Sequence, residues 1–248
     1  MKDFNQITLD EKLGQLLVIG FKGFNLTDDI KEMIKKNKFG NFILYARNYN
    51  NLEQFEKLIR DIHKEVINSI GIMPFICIDQ EGGRVTRITH ESTAYPGSMT
   101  LSATNNYSNV QKIGDMMGKH LMALGINMNL APILDVNNNL KNPVISIRSF
   151  SDNVDVVIKY GIELIKDMQK EGIIATAKHF PGHGDTETDS HLGLSILPFD
   201  KNRLYNIELK PFKEAIKNGV NNIMTGHIII KEIDKIIQQL PQKQSYKI

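Results

Sequence analysis

Six short apolar runs alternate with longer amphipathic stretches along the 248 residues, and that alternation constrains the fold more than any other feature. Leu16 to Ile19, Phe39 to Tyr45, Pro74 to Asp79, Ile126 to Leu134, Ile173 to His179 and Asn221 to His227 read as strands. Helical patterns lie between them, over Thr27 to Lys36, Leu52 to Ile67, Val110 to Leu124, Val154 to Lys170 and Lys201 to Lys217. In the fourth of these, Val154, Val157, Ile158, Ile162, Leu164, Ile165 and Met168 recur near helical spacing, and Gly172 follows as a C-terminal cap would. Repeated βα units of this kind predict an α/β fold with a parallel sheet. The longest polar loops, Gln80 to Thr100, Asn137 to Ser149 and Pro181 to Pro198, follow the carboxyl ends of strands three, four and five. A (β/α)8 barrel builds its active site from such loops.

A hydrophobic fraction of 41% and 23% charged residues suit one globular domain over 1–248. A net charge of +2 with scattered lysines argues against a nucleic-acid partner. The lone cysteine, Cys77, lies in an apolar run and has no partner for an internal disulfide. Met1 to Gln6 lacks the apolar core of a signal peptide, and no apolar stretch reaches the length of a membrane span, so a cytoplasmic protein without a membrane partner is expected.

The densest chemistry sits at Lys178-His179-Phe180-Pro181-Gly182-His183-Gly184-Asp185, followed by Thr186-Glu187-Thr188-Asp189-Ser190-His191. It directly follows the buried-strand pattern Gly172 to Ala177, so these polar side chains arrive at the mouth of a sheet. Three readings of the segment are open from the residues alone. It can be a solvated loop with local hydrogen bonds, although two glycines and a proline impose an unusual backbone path. It can be a metal site, since His179, His183, Asp185 and His191 are competent zinc ligands. It can be an acid/base site in which Asp189 orients His191 while Lys178 and His179 bind substrate.

The segment resembles the signature of family 3 glycoside hydrolases, in particular their bacterial β-N-acetylhexosaminidase (N-acetylglucosaminidase) branch. Two further motifs are similar to the same family: Ile78-Asp79-Gln80-Glu81-Gly82-Gly83-Arg84-Val85-Thr86-Arg87, and Gly125 to Val136 followed by Arg148-Ser149-Phe150. The resemblance implies a TIM (β/α)8-type barrel and hydrolysis of a terminal β-linked N-acetylglucosamine from glycans or peptidoglycan fragments, with no cofactor. It also implies His191 as acid/base held by Asp189, and Asp79, Arg87, Arg148, Lys178 and His179 as ligands of the sugar. The residue types fit, because an aspartate accepts hydrogen bonds from hydroxyls while arginine and lysine donate to hydroxyl or carbonyl oxygens. Arg84 with Glu81 is expected to brace its loop, and His183 and Asp185 to hold the shape of theirs.

Six strands are two short of a closed barrel, and the family's nucleophile is an aspartate after the seventh. The chain is therefore expected to be an incomplete barrel of about six βα units, C-terminally truncated, with negligible turnover and with sheet edges that invite self-association. Asp135, at the end of strand four, is the first candidate for a substitute nucleophile. A metal-dependent hydrolase and a non-catalytic sugar-binding remnant are the alternatives.

Overall fold

A computed structural model describes residues 1–187, 195–197 and 200–230. Strands β1 (Val18–Ile19), β2 (Asn41–Leu44), β3 (Ile76–Ile78), β4 (Met128–Asn129) and β5 (Ile174–Phe180) follow one another in the sheet, and β7 (Asn222–Thr225) pairs beyond β5. All five pairings are parallel, and the sheet curls into six staves of an incomplete (β/α)8-type barrel. A separate parallel pair joins β6 (Ser195–Leu197) to β8 (Ile228–Ile230). Helix α1 (Leu9–Gln15) precedes β1, and the helices between the staves are α2 (Asp28–Asn37), α3 (Leu52–Ile70), α4 (Ser98–Ala103), α5 (Tyr107–Ala123), α6 (Val154–Lys170), α7 (Lys201–Arg203) and α8 (Lys210–Lys217).

Local sequence explains the boundaries. The Asn51 side chain caps α3 by accepting from the Gln54 N–H, and Gly71, at φ +81°, ends the helix in the left-handed region that favours glycine. Asn153 caps α6 in the same way. Phe55, Leu58, Ile59, Ile62 and Val66 form the inward stripe of α3, and Val157, Leu164, Ile165 and Met168 that of α6. These stripes pack on the strand residues Phe42, Leu44, Ile76, Ile78, Ala175 and Ala177, all buried in one core. Cys77 is buried beside them, and desolvation pushes its thiol up to about 12, which leaves it inert.

Several expected elements change. The first strand shrinks to Val18–Ile19, because the Thr8–Glu11 capping box starts a helix at Leu9 and Leu16 ends it. The fourth shrinks to Met128–Asn129, since Pro132 interrupts the ladder. A π turn at Leu204–Glu208 breaks the helix expected over Lys201 to Lys217. Helix α4 begins at Ser98, before the end of the segment read as a loop after β3. Leu9, Leu13, Leu16, Leu17 and Val18 are exposed along α1 and β1, the outer edge of the sheet.

Candidate active site

Polar side chains converge where β2, β3, β4, β5 and β7 end. Beyond β3, Gln80 ties the loop to the sheet: its N–H donates to Asn129 Oδ1 at 3.1 Å, and its Oε1 accepts from the Arg87 N–H at 2.8 Å. Gly82, at φ +88°, lets the turn pass close to Pro96, whose carbonyl oxygen would lie 2.4 Å from a Cβ there. Asp79, Glu81 and Arg87 thereby face the sheet mouth together.

The chain after β4 runs on beside β5, with the Thr176 N–H donating to Ala131 O at 2.9 Å and the Leu134 N–H to Lys178 O at 2.7 Å. That register sets Asp135 next to His179. On β5 the pairing with β7 slips between Lys178 and Phe180. Consecutive side chains of a regular strand point to opposite faces, yet at this irregularity Lys178 and His179 both line the same cleft.

Lys178, only 2% exposed, places Nζ 2.9 Å from Asp79 Oδ1 and 2.6 Å from Glu81 Oε1. Arg148 grips Glu81 with both prongs, Nε to Oε2 at 3.0 Å and Nη2 to Oε1 at 2.8 Å, and also donates to Val144 O. Burial alone would push the Glu81 carboxyl up, but the Lys178 ammonium and the Arg148 guanidinium outweigh it and hold it at about 2. Arg87 Nη2 lies 3.5 Å from Asp79 Oδ2. Asp135 is fully buried, and burial again opposes its charge. The His179 ring and the backbone N–H groups of His183 and His179 nonetheless keep its carboxyl below the usual range.

Asp79, Arg87, Arg148, Lys178 and His179, the five residues expected to bind sugar, thus line one cleft of about 370 Å³. Asp189 and His191 lie outside the described residues. Glu81 does not pair with Arg84, which is exposed; it is bound by Arg148 and Lys178 instead. Asp135 is no substitute nucleophile, because it is buried and its oxygens accept from His179 and His183. Asp185 turns away to Arg203, and among the described residues no three histidine, cysteine or acidic side chains gather as a metal site would require. Thr186 holds His183, and Asn142 donates to the His183 carbonyl at 2.7 Å.

Tyr45 and His227 also line the cleft, unforeseen, although each ends a segment read as a strand. Arg47 stacks on the Tyr45 ring at 4.3 Å. A larger cavity of about 620 Å³, lined by Leu52, Glu91, Ser92, Thr93, His120, Ala123 and Leu124, touches no strand end. The strand-end cleft offers donors on Arg87, Arg148 and Lys178 and acceptors on Asp79, a set matched to a polyol bearing an amide.

Residues 8–247 match the family described as Glycosyl hydrolase family 3 N terminal domain. The beta-hexosaminidase A of Pseudoalteromonas piscicida is 38% identical over 250 residues, covering 92% of this chain and 42% of that protein. The beta-hexosaminidase of Haemophilus influenzae (strain PittEE) is 34% identical over 223 residues, covering 88% and 62%. Among solved structures, a glycoside hydrolase family 3 beta-N-acetylglucosaminidase from Paenibacillus sp. str. FPU-7 is similar at a TM-score of 0.88 and 42% identity, covering 90% of this chain and 43% of that one. NagZ from Neisseria gonorrhoeae, solved with N-trifluoroacetyl-D-glucosamine, is similar at a TM-score of 0.79 and 30% identity, covering 87% and 64%. The chain spans 42% to 64% of the length of these four proteins.

Proposed function

The chain belongs to glycosyl hydrolase family 3, matching its N-terminal domain, and on that premise we propose that its cleft binds a terminal β-linked N-acetylglucosamine in a β-N-acetylhexosaminidase reaction. The convergence of Asp79, Arg87, Arg148, Lys178 and His179 on one cleft at the strand ends carries this reading. Arg87, Arg148 and Lys178 donate to the sugar's oxygens, Asp79 accepts from its hydroxyls, and His179 binds beside them. The whole of 1–248 acts as one barrel-type domain, and peptidoglycan fragments in the cytoplasm are the substrate source we favour. No helix of the described residues is long and apolar enough to cross a membrane.

His191, held by Asp189, serves as the acid/base: an imidazole with an ordinary pKa of about 6.5 gives a proton to the leaving oxygen and later accepts one from water. Retaining hydrolysis also needs a carboxylate to attack the anomeric carbon. At the cleft, Asp79, Glu81 and Asp135 are each engaged by cationic side chains or an imidazole. Among the described residues these carboxylates are thus occupied, and the reading assigns the 248 residues sugar binding and proton transfer with negligible turnover.

Titration calorimetry with N-acetylglucosamine tests this. Millimolar or tighter binding is expected, abolished in Arg87→Met and Arg148→Met. A folded protein with no detectable heat at millimolar sugar rejects the reading, and a stoichiometric transition metal in protein purified without added metal would favour a metal-dependent hydrolase.

A further inference from the structure

The buried carboxylate of Asp135 divides its two oxygens between two parts of the site. Oδ2 accepts from His179 Nδ1 at 2.7 Å, and the His179 backbone N–H lies 3.2 Å from both oxygens. Oδ1 accepts from the His183 N–H at 2.6 Å. An ionised carboxylate only accepts, so the atom facing it on the imidazole is a protonated nitrogen. His179 lines the cleft, and its other nitrogen, Nε2, is the ring atom that Asp135 does not engage.

We propose that Asp135 is a positioning residue that keeps the proton of His179 on Nδ1, presents Nε2 to the sugar, and fastens the start of the following loop to the same carboxylate. This rests on the reading of His179 as a sugar ligand. With the neutral ring Nε2 accepts a hydrogen bond from a sugar hydroxyl, and with the charged ring it donates one. The second anchor is equally specific. Beyond His183, a Cβ on Gly184 would meet Val136 O at 1.7 Å, so the loop lies directly against the chain that carries Asp135. One buried carboxylate thus holds both the His179 ring and the start of the loop through His183.

The charged neighbours leave Asp135 the sole anion hydrogen-bonded to the ring among the described residues. Lys178 on β5, Arg87 after β3, Arg148 after β4 and His227 after β7 line the same cleft, and Asp79, the acid that lines it with them, is taken by Lys178 and Arg87.

Asp135→Asn separates the two anchors. Its amide has one accepting oxygen and one donating nitrogen, whereas both positions face N–H groups. One anchor must fail: the His179 proton moves to Nε2, or the loop is released at His183. The test is long-range proton–nitrogen NMR of the histidine-labelled chain, in which the His179 imidazole is identified among seven by its loss in His179→Gln, combined with N-acetylglucosamine titration. The wild type is expected to carry the Nδ1–H tautomer at a pH where the ring is neutral. Asp135→Asn should show the Nε2–H form or a displaced His183 amide, and bind about tenfold more weakly. Where the His183 amide keeps its place in Asp135→Asn, the double variant with His179→Gln should bind no more weakly than the worse single variant, because Asp135 then acts through His179 alone.

An Nε2–H tautomer in the folded wild type overturns the proposal without any variant, so it stays testable if Asp135→Asn fails to fold. Additive losses in the double variant while the His183 amide keeps its place overturn it as well. If His179→Gln binds sugar as tightly as wild type while the wild-type ring holds Nδ1–H, the assignment of His179 as a sugar ligand fails and the positioning geometry stands.

Discussion

Arg148 closes a forked ion pair on Glu81 across 67 residues of sequence, and both side chains are almost withdrawn from solvent. A carboxylate so enclosed cannot act as a base at neutral pH. It serves as the counter-charge that lets Arg148 and Lys178 sit side by side at the strand ends.

Glu81→Gln should therefore destabilise the fold in a pH-dependent way. The drop of the Glu81 carboxyl from an ordinary 4.5 to about 2 corresponds to on the order of 3 kcal/mol. Because the folded-state value lies below the unfolded one, that contribution is present above pH 4.5 and fades as the pH falls toward 2. Urea unfolding at pH 7 and pH 3 reads it: the gap between wild type and variant should be wide at the first and narrower at the second. A constant gap would trace the loss to packing and not to charge.

Gly184→Ala should dislodge the loop after β5. The new Cβ would lie 1.7 Å from Val136 O and 2.6 Å from the carbonyl carbon, both backbone atoms without a rotamer to escape into. We expect a cost of about 1–3 kcal/mol, as for overpacking elsewhere, together with weaker sugar binding. Thermal melting and calorimetry check the two effects, and unchanged values in both would mean that the loop does not need its contact with Val136.

In a chain extended to the length of the relatives, His191→Ala should lower kcat/KM by about a hundredfold or more on natural glycosides. Nitrophenyl glycosides, whose leaving group departs without a proton, should lose far less. Equal losses on both substrate types would make His191 a binding or structural residue.

The 248-residue chain expressed alone should self-associate, through the exposed Leu9, Leu13, Leu16, Leu17 and Val18 along the side of β1 that no described strand pairs. Sedimentation across a concentration series detects this. A monomer at all concentrations, or substantial turnover of a β-N-acetylglucosaminide, would contradict the expectation.

The barrel was legible in the sequence wherever a strand is apolar on both faces. Gly172 to Ala177 announces β5 because its buried residues run on without polar alternation. Helix α1 escaped notice because its apolar residues face outward, so no inward stripe betrays it. The five residues proposed to bind the sugar were accessible through motif resemblance and through the rule that strand ends carry chemistry. That rule, applied to the last residues of the second and sixth apolar runs, would also have found Tyr45 and His227. Asp135 beside His179 was not legible, since it depends on Leu134 and Lys178 falling into register across neighbouring strands. The partners of Glu81 were hidden for the same reason: sequence proximity favoured Arg84, and tertiary structure chose Arg148.

The hydrogen bond between Lys178 and Asp79 joins residues 99 positions apart. Such a contact closes only after β3, β4 and β5 have taken adjacent places, and non-local parallel pairings form slowly because loop-closure entropy is lost before they give any return. On a growing or refolding chain the helices can gain amide protection while the cleft has no walls. On the proposed function, acquisition of sugar affinity is thus a clock for the last stage of assembly, and a polypeptide ending before Lys178 would register nothing on it.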